Sequence, residues 1–286
     1  MSRTDRPGIG PDTLVLCSGT LGSTRWPDKV RAAGGAGFGA ISVYVHEYEA
    51  ARAAGWSDAD LRELLAEGCL SVAEVDGAMS WLPGTTTALA GRRRPNPPED
   101  FVAVAAALGA RSLTVIELSG EPVASGVGIE AAAGAFAEVC DLAAEAGLLA
   151  HIEPFPWSGI ADLVTADRIA RAAGRPNGGL LLDTWHLQRG RDRGRIAPSV
   201  DGRTVLSVQV SDVAAQAGPS VAAECMHERL LPGAGVGGVA PLLAELRRRG
   251  CDAPLGAEVF SDALHALPAH EAAGLVVEAL RAVCPR

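Results

Sequence analysis

Short apolar runs alternate with longer amphipathic segments along the chain. The short runs are rich in Val, Ile and Leu, as buried strands are, and the longer Ala- and Leu-rich segments have the spacing of helices that bury one face. Strands are predicted at residues 14–18, 40–45, 71–75, 112–117, 148–153, 180–183, 205–210 and 255–260. Helices are predicted at residues 58–67, 99–108, 129–146, 161–173 and 239–249. This alternation predicts parallel strands joined by helical crossovers.

Eight such units fill the 286 residues of the chain, which is a typical length for a (β/α)8 barrel. We therefore predict an α/β fold, a TIM barrel that forms a single domain over residues 1–286. A doubly wound open sheet is the alternative, but Cys-Ser-Gly-Thr-Leu-Gly after the first strand lacks the phosphate-binding glycine spacing of that fold. Residues 91–100, rich in Arg and Pro, are predicted to form an exposed loop.

Composition and charge narrow the possible partners. Hydrophobic residues make up 48% of the chain, enough for a large core. The 34 acidic and 25 basic residues give a net charge of −9, which disfavours a nucleic-acid partner. No apolar run approaches the roughly 18–20 residues of a membrane span, and residues 1–11 lack the apolar core of a signal peptide. We expect a cytoplasmic protein without a membrane partner.

Two features of the sequence argue against other chemistries. The only lysine, Lys29, falls in the predicted first turn of a helix, which disfavours an imine mechanism. Residues 233–238 match the pattern G-x-G-x-x-G, but they follow Pro232 in a loop instead of a strand, and we predict a flexible turn there.

Polar side chains lie at the ends of the last four predicted strands. They are Glu153, Asp183, Gln209 and Glu258. In a parallel barrel these ends share one rim, and three carboxylates that converge there need protons or a cation to neutralise them. Carboxylate and amide oxygens suit Mg²⁺ or Mn²⁺, whereas zinc is less expected without a histidine in the set. The spacing alone leaves open that each group is satisfied separately by hydrogen bonds.

Five segments around these residues resemble a known family. Their sequences are Ile-Glu-Pro-Phe at 152–155, Leu-Asp-Thr-Trp-His at 182–186, Val-Gln-Val-Ser-Asp at 208–212, Arg-Leu-Leu-Pro-Gly-Ala-Gly at 229–235 and Ala-Glu-Val-Phe at 257–260. In this order they are similar to the xylose isomerase-like TIM-barrel superfamily, the sugar phosphate isomerase/epimerase family. The resemblance is clearest over residues 146–272 and weaker in the N-terminal half.

The resemblance implies a role for each matching position. Glu153, Asp183, Gln209 and Glu258 match the four metal ligands. The two glutamates would also be the catalytic acid and base on opposite faces of the substrate. His186 and Arg229 match substrate contacts. Many epimerases of the family carry histidine where this chain has Gln209, and some dehydratases carry glutamine.

The resemblance implies a divalent-metal-dependent isomerase or epimerase of a small polyhydroxylated carbonyl compound. It would remove a proton from the carbon next to a metal-polarised carbonyl. A metal-dependent dehydratase, a lyase of the dehydroshikimate or inosose type, is the alternative. A barrel that binds a ligand without turnover is a third possibility.

Two further residues are candidates for contact with the small-molecule substrate. Trp157 follows the fifth predicted strand and could offer an aromatic wall, and His227 lies on the long loop after the seventh. The superfamily's endonuclease branch is disfavoured because it uses more histidines than this chain places near the rim. Many relatives are oligomers, so a homo-oligomer is possible.

Overall fold

Eight parallel strands close into a barrel in the computed structural model, which describes residues 8–82, 96–123 and 125–284. Each strand pairs with the next, and the eighth pairs with the first. The strands are β1 (Leu14–Leu16), β2 (Ala40–Tyr44), β3 (Ser71–Ala78), β4 (Ser112–Val115), β5 (Leu149–Ile152), β6 (Gly178–Asp183), β7 (Val205–Val210) and β8 (Leu255–Ala257). The predicted barrel and its eight strands are confirmed, with ends shifted by a few residues.

Helices connect the strands and cover the outside of the barrel. They are α1 (Trp26–Ala36), α2 (Val45–Ala53), α3 (Asp58–Glu67), α4 (Pro98–Leu108), α5 (Ile129–Glu145), α6 (Leu163–Ala173), α7 (Thr184–Arg189), α8 (Val221–His227), α9 (Val239–Arg248), α10 (Asp262–His265) and α11 (Ala269–Val283). The five predicted helices are present. Residues 91–95 of the predicted exposed loop lie outside the described residues. Within the described part of the chain, no helix combines the length and apolar character that a bilayer span requires.

The start of α6 shows how a polar side chain moves a predicted boundary. The prediction began this helix at residue 161, whereas the helix begins at Leu163. Asp162 has an extended backbone, and its Oδ1 accepts a hydrogen bond from the backbone N–H of Thr165 at 2.8 Å. A carboxylate at this position satisfies a backbone donor that the first turn leaves unpaired, so it fixes where the helix begins.

The third strand extends three residues beyond its predicted end at Val75. The prediction stopped where the apolar run stops, but β3 continues and carries two acidic residues, Glu74 and Asp76, in its interior. Residues two apart share one face of a strand, and both carboxylates are buried, at 2% and 7% exposure. The interior of the barrel therefore carries two carboxyl groups on β3, a strand that was predicted as an apolar run.

A hydrogen-bonded polar layer crosses the barrel below the rim. Ser207 Oγ donates to Glu74 Oε2 at 2.9 Å, and Gln209 Nε2 donates to Glu74 Oε1 at 3.1 Å. His151 Nε2 lies 3.0 Å from Ser112 Oγ and 3.6 Å from Glu74 Oε2. Burial lowers the pKa of His151 to about 3, so this ring is neutral and adds no charge to the layer.

The chain's only lysine is part of the packing at the rim. Lys29 lies in α1 with its side chain 1% exposed, and its ammonium donates to Glu47 Oε1 at 2.6 Å and to the Ser18 carbonyl at 2.7 Å. Ser18 Oγ donates to the second oxygen of Glu47 at 2.7 Å. The ammonium thereby joins α1 to α2 and to the turn after β1.

The glycine-rich loop predicted to be a flexible turn is anchored by a buried carboxylate. Asp212 accepts backbone N–H bonds from Gly233, Gly235 and Gly237 at 3.1, 3.1 and 2.8 Å. A Cβ at Gly235 would collide with the carbonyl oxygen of Val213, so this close approach requires glycine. The loop after β7 is therefore fixed to the end of the strand by these hydrogen bonds, and the prediction of a flexible turn was wrong.

Candidate active site

A cavity of about 650 Å³ opens at the carboxyl ends of the strands. Glu153 directly follows β5, Asp183 is the last residue of β6, and Glu258 directly follows β8. Glu153 and Glu258 line the cavity, and all three carboxylates are buried. The rim formed by the strand ends is where barrels of this type place their reactive groups.

Asp183 is fixed by the turn from β6 into α7. Its Oδ1 accepts the backbone N–H bonds of Trp185 at 2.6 Å and His186 at 3.0 Å, so it caps the first turn of the helix. Its Oδ2 accepts a bond from Arg229 Nη1 at 2.7 Å. One side chain therefore sets both the start of α7 and the position of His186 on it.

Arg229 is a buried cation that bridges two of the carboxylates. Its Nη1 donates to Asp183 Oδ2 at 2.7 Å and to Glu258 Oε2 at 3.1 Å. Its Nε donates to the Cys225 carbonyl at 3.0 Å, and its guanidinium carbon lies 5.3 Å and 4.9 Å from the ring centres of Trp185 and Phe260. These contacts on every side fix the guanidinium at the edge of the cavity.

His186 faces Glu153 across the cavity floor. Its Nε2 lies 3.3 Å from Glu153 Oε1 and 4.0 Å from Asp183 Oδ2. Burial lowers the pKa of His186 to about 3, so the ring is neutral at physiological pH and its nitrogen can act as a ligand. Phe155 and Trp157 pack around it with ring centres 5.4 and 5.7 Å away.

The site holds more buried negative charge than its arginine neutralises. The buried carboxyl groups are Glu74, Asp76, Glu153, Asp183 and Glu258. Burial raises the pKa of Glu153 to about 8, with the charge of Asp183 adding to the effect, and raises the pKa of Glu258 well above its usual range. Burial also works to raise the pKa of Asp183, but the charge of Arg229 outweighs it and lowers that pKa. The other carboxyl groups need protons or a second cation.

The arrangement of donors fits a divalent cation. One ligand atom each from Glu153, Asp183 and His186 lie within 4.8 Å of one another. Ligands about 2.0–2.6 Å from one ion lie within about 5 Å of each other, so the three atoms are compatible with a shared ion. The buried Oε1 of Gln209 has no hydrogen-bond partner, and such an orphaned acceptor is suited to a cation.

The structure brings most of the predicted site residues to this rim. Gln209 lies beside Asp183 in the register of β6 and β7, although its Nε2 is directed to Glu74 in the layer below. Trp157 lines the cavity. His227 does not line it. The side chain of His227 is 57% exposed, and its Nδ1 lies 2.9 Å from Asp262 Oδ1.

Sequence analysis missed two features of the site. Asp76 lines the cavity, and its pKa is raised well above normal by burial and by the charge of Glu74. The signal for it was present, because Glu74 and Asp76 continue the inward-facing alternation of β3. His186 was assigned a substrate contact alone, and its spacing three residues after Asp183 also places a ring nitrogen beside the carboxylates.

The metal-free protein is expected to lose stability as the pH rises above about 6.5, where the two buried histidines His151 and His186 are neutral in both the folded and the unfolded state. The pKa of Glu153 is raised from 4.5 to about 8 in the folded state, which therefore binds this proton more tightly than the unfolded chain does. The resulting stabilisation is complete below the lower pKa and is lost as the pH rises through the higher one. Mn²⁺ binds ionised carboxylates, so the stabilisation it gives should increase over the same range.

Thermal melts of chelator-treated protein between about pH 6.5 and pH 8, with and without added Mn²⁺, measure both effects. The variant Glu153→Gln serves as the control and should flatten the slope of the metal-free protein. A metal-free melting temperature that rises across this range would contradict the prediction, as would an equal effect of Mn²⁺ at both ends.

The comparison of sequences identifies one family. The profile of the family described as xylose isomerase-like TIM barrel matches residues 30–283, which is most of the chain. No protein with a curated description matches the sequence.

Several solved structures share the fold at low sequence identity. The IolI protein with a bound zinc atom has a TM-score of 0.78 and 16% identity over 95% of this chain and 98% of its own. A xylose isomerase domain-containing protein from Salmonella typhimurium LT2 has a TM-score of 0.78 and 18% identity over 97% and 99%. D-allulose 3-epimerase from a Methylomonas species, in complex with D-allulose, has a TM-score of 0.68 and 18% identity over 94% and 96%. At such identities the likeness establishes the fold.

Proposed function

This chain belongs to the xylose isomerase-like TIM barrel family, and from that premise we propose that it is a divalent-metal-dependent isomerase or epimerase of a small, sugar-like hydroxylated carbonyl compound. The observation that carries the proposal is the pair Glu153 and Glu258, two buried glutamates that line one cavity and contact His186 and Arg229 at its floor. Such a pair of groups can act as base and acid in proton transfer next to a carbonyl.

The cation would be held by Glu153 and Asp183, with Gln209 and Glu258 as the remaining ligands of the proposed set. His186 adds a ring nitrogen to the available donors. Carboxylate and amide oxygens favour Mn²⁺ or Mg²⁺, and the imidazole favours a transition metal, so Mn²⁺ fits best. When bound, the metal supplies a Lewis acid for the carbonyl oxygen and an adjacent hydroxyl.

The protein's own side chains would move the proton. One of the two glutamates, in its ionised form, removes it from the carbon next to the carbonyl, and the other, in its protonated form, donates its own proton to carbon. Donation to the opposite face of the same carbon gives epimerisation, and donation to the neighbouring carbon gives isomerisation. Arg229, held between Asp183 and Glu258, would orient a substrate oxygen. Trp157 and Phe155 close one side of the cavity.

Two of the solved structures support the proposal of a metal-dependent enzyme with a sugar-like substrate. D-allulose 3-epimerase binds D-allulose on the same fold, and the IolI protein binds zinc on it. Each of these two alignments covers more than nine tenths of both chains, so the similarity extends over the whole barrel.

Metal-dependent exchange of substrate protons with solvent tests the proposal. Protein stripped with a chelator and reloaded with Mn²⁺ is incubated in D₂O with a panel of ketoses, and deuterium at carbon is followed by mass spectrometry. Exchange is expected in the reloaded sample and a loss of at least about 100-fold in the stripped one. Reloading with Mg²⁺ and Zn²⁺ in parallel compares the metals.

The alternatives give different readings in the same experiment. A product lighter by the mass of one water identifies a dehydratase. Binding of a ketose without exchange or turnover, whatever metal is added, identifies a ligand-binding barrel and overturns the proposal.

A further inference from the structure

The cavity has a polar floor and largely apolar walls, and we propose that the substrate carries an apolar, ring-sized arm attached to its hydroxy-carbonyl head. This inference rests on the proposed function, because the head is assigned to the carboxylates of the proposed site. The arm is assigned to the apolar wall of the cavity, whose side chains offer no hydrogen bonds to the head.

The charged groups of the cavity lie at the strand ends and contact one another, and Tyr44, His46 and Asn96 are further polar side chains that line it. His186 Nε2 lies 3.3 Å from Glu153, and Arg229 binds both Asp183 and Glu258. The charges of Glu153 and Glu258 also act on Asp76, which places it near the same end. This end can recognise a carbonyl and one or two neighbouring hydroxyls.

The walls above this floor are hydrophobic. Met79, Ile116, Leu118 and Phe260 line the cavity. These four side chains are half-buried, and none belongs to a hydrophobic core cluster among the described residues. The apolar surface that these side chains expose faces the cavity, so a bound ligand would bury it.

A second apolar feature continues this surface outward. Helix α8 contributes Ala222 and Met226 to the cavity. The Met226 side chain is 46% exposed. Methionine is flexible and adapts to rings of different shape. The apolar surface therefore reaches from the cavity wall to the helix at its mouth.

The energetics favour an apolar arm over a chain of hydroxyls. A hydroxyl that enters an apolar pocket without a hydrogen-bond partner is penalised, whereas an apolar group gains from leaving water. A volume of about 650 Å³ is also within the range of pockets that hold drug-sized ligands. A polyol that fills this cavity would leave several hydroxyls against Ile116 and Leu118.

Three ligands with related heads test the inference on the Mn²⁺-loaded protein. Dihydroxyacetone supplies the head alone, D-allulose adds a polyol chain, and hydroxymethyl phenethyl ketone adds a phenyl ring. Calorimetry is expected to give a dissociation constant for the phenethyl ketone at least about tenfold lower than for D-allulose. The variant Leu118→Asn is expected to weaken the phenethyl ketone about tenfold and dihydroxyacetone less than about twofold.

A matched control and two contrary outcomes complete the test. Leu275→Asn changes an exposed leucine on α11, 45% exposed, and should leave all three constants unchanged. Binding of D-allulose as tight as that of the phenethyl ketone overturns the inference, as does a Leu118→Asn variant that weakens all three ligands equally. Solvent deuterium exchange is scored separately. D-allulose that binds tightly and exchanges leaves the proposed function standing, whereas tight binding of the phenethyl ketone without exchange of any ligand overturns the function alone.

Discussion

Replacing Glu153 or Glu258 by glutamine is expected to lower the rate of metal-dependent deuterium exchange by about 10²–10⁴-fold. Glutamine keeps the size of the side chain and can still offer an oxygen to a cation, but it cannot take a proton from carbon. The two variants should differ in which face of the substrate they affect. One glutamate takes a proton from carbon and the other donates its own proton to carbon, so each variant lacks a different half of the reaction.

The control for these variants is Glu278→Gln, which changes an exposed glutamate on α11. It should exchange protons at the rate of the unchanged protein. Melting temperatures of all three variants show whether the fold is intact, and the Mn²⁺ content of the purified protein shows whether the cation is retained. Full exchange activity in both Glu153→Gln and Glu258→Gln would show that the acid and base are other groups.

Replacing Arg229 by methionine is expected to lower the free energy of unfolding of the metal-free protein by about 3–5 kcal/mol. The guanidinium side chain is 1% exposed and is bound to Asp183 and Glu258 at 2.7 and 3.1 Å. Its removal leaves Asp183 buried beside other acids, where the carboxylate either stays ionised without its partner or takes up a proton at a cost. Methionine has a similar length, so most of the loss reflects the uncompensated charge and not an empty space.

Urea denaturation measured in the presence of a chelator tests this prediction. Arg203→Met is the matched control. Arg203 is also paired with an aspartate, Asp201 at 2.6 Å, but the two side chains are 75% and 33% exposed, so the loss should be far smaller. Added Mn²⁺ should restore part of the stability of Arg229→Met, because a cation can replace the missing charge. Equal losses in the two variants would show that the buried ion pairs contribute no more than a surface one.

The strands and the rim could be predicted from the sequence for local reasons. Each strand is a short apolar run between helices, and Glu153, Asp183, Gln209 and Glu258 stand where such runs end. Because the strands of such a barrel are parallel, their carboxyl ends lie on the same side, and this follows from the order of strands and helices alone. The match of five segments to one family added their expected roles.

The pairings inside the barrel could not be predicted in the same way. The contact of Ser207 with Glu74 joins residues far apart in the chain, and the bridge from Arg229 to Asp183 depends on the path of the loop after β7. Local periodicity carries no information about such pairs. Asp76 could have been predicted, because it continues the alternation of β3. It was missed because the strand was predicted to end at Val75, where the apolar residues end.

The buried ion pair of Lys29 has a practical consequence for labelling chemistry. An acylating reagent attacks an amine only when the nitrogen is unprotonated and reaches solvent, and this ammonium is 1% exposed and bound to Glu47. Because the chain has no other lysine, modification at this position should follow opening of the structure around α1. The native sequence therefore contains its own covalent reporter of local unfolding.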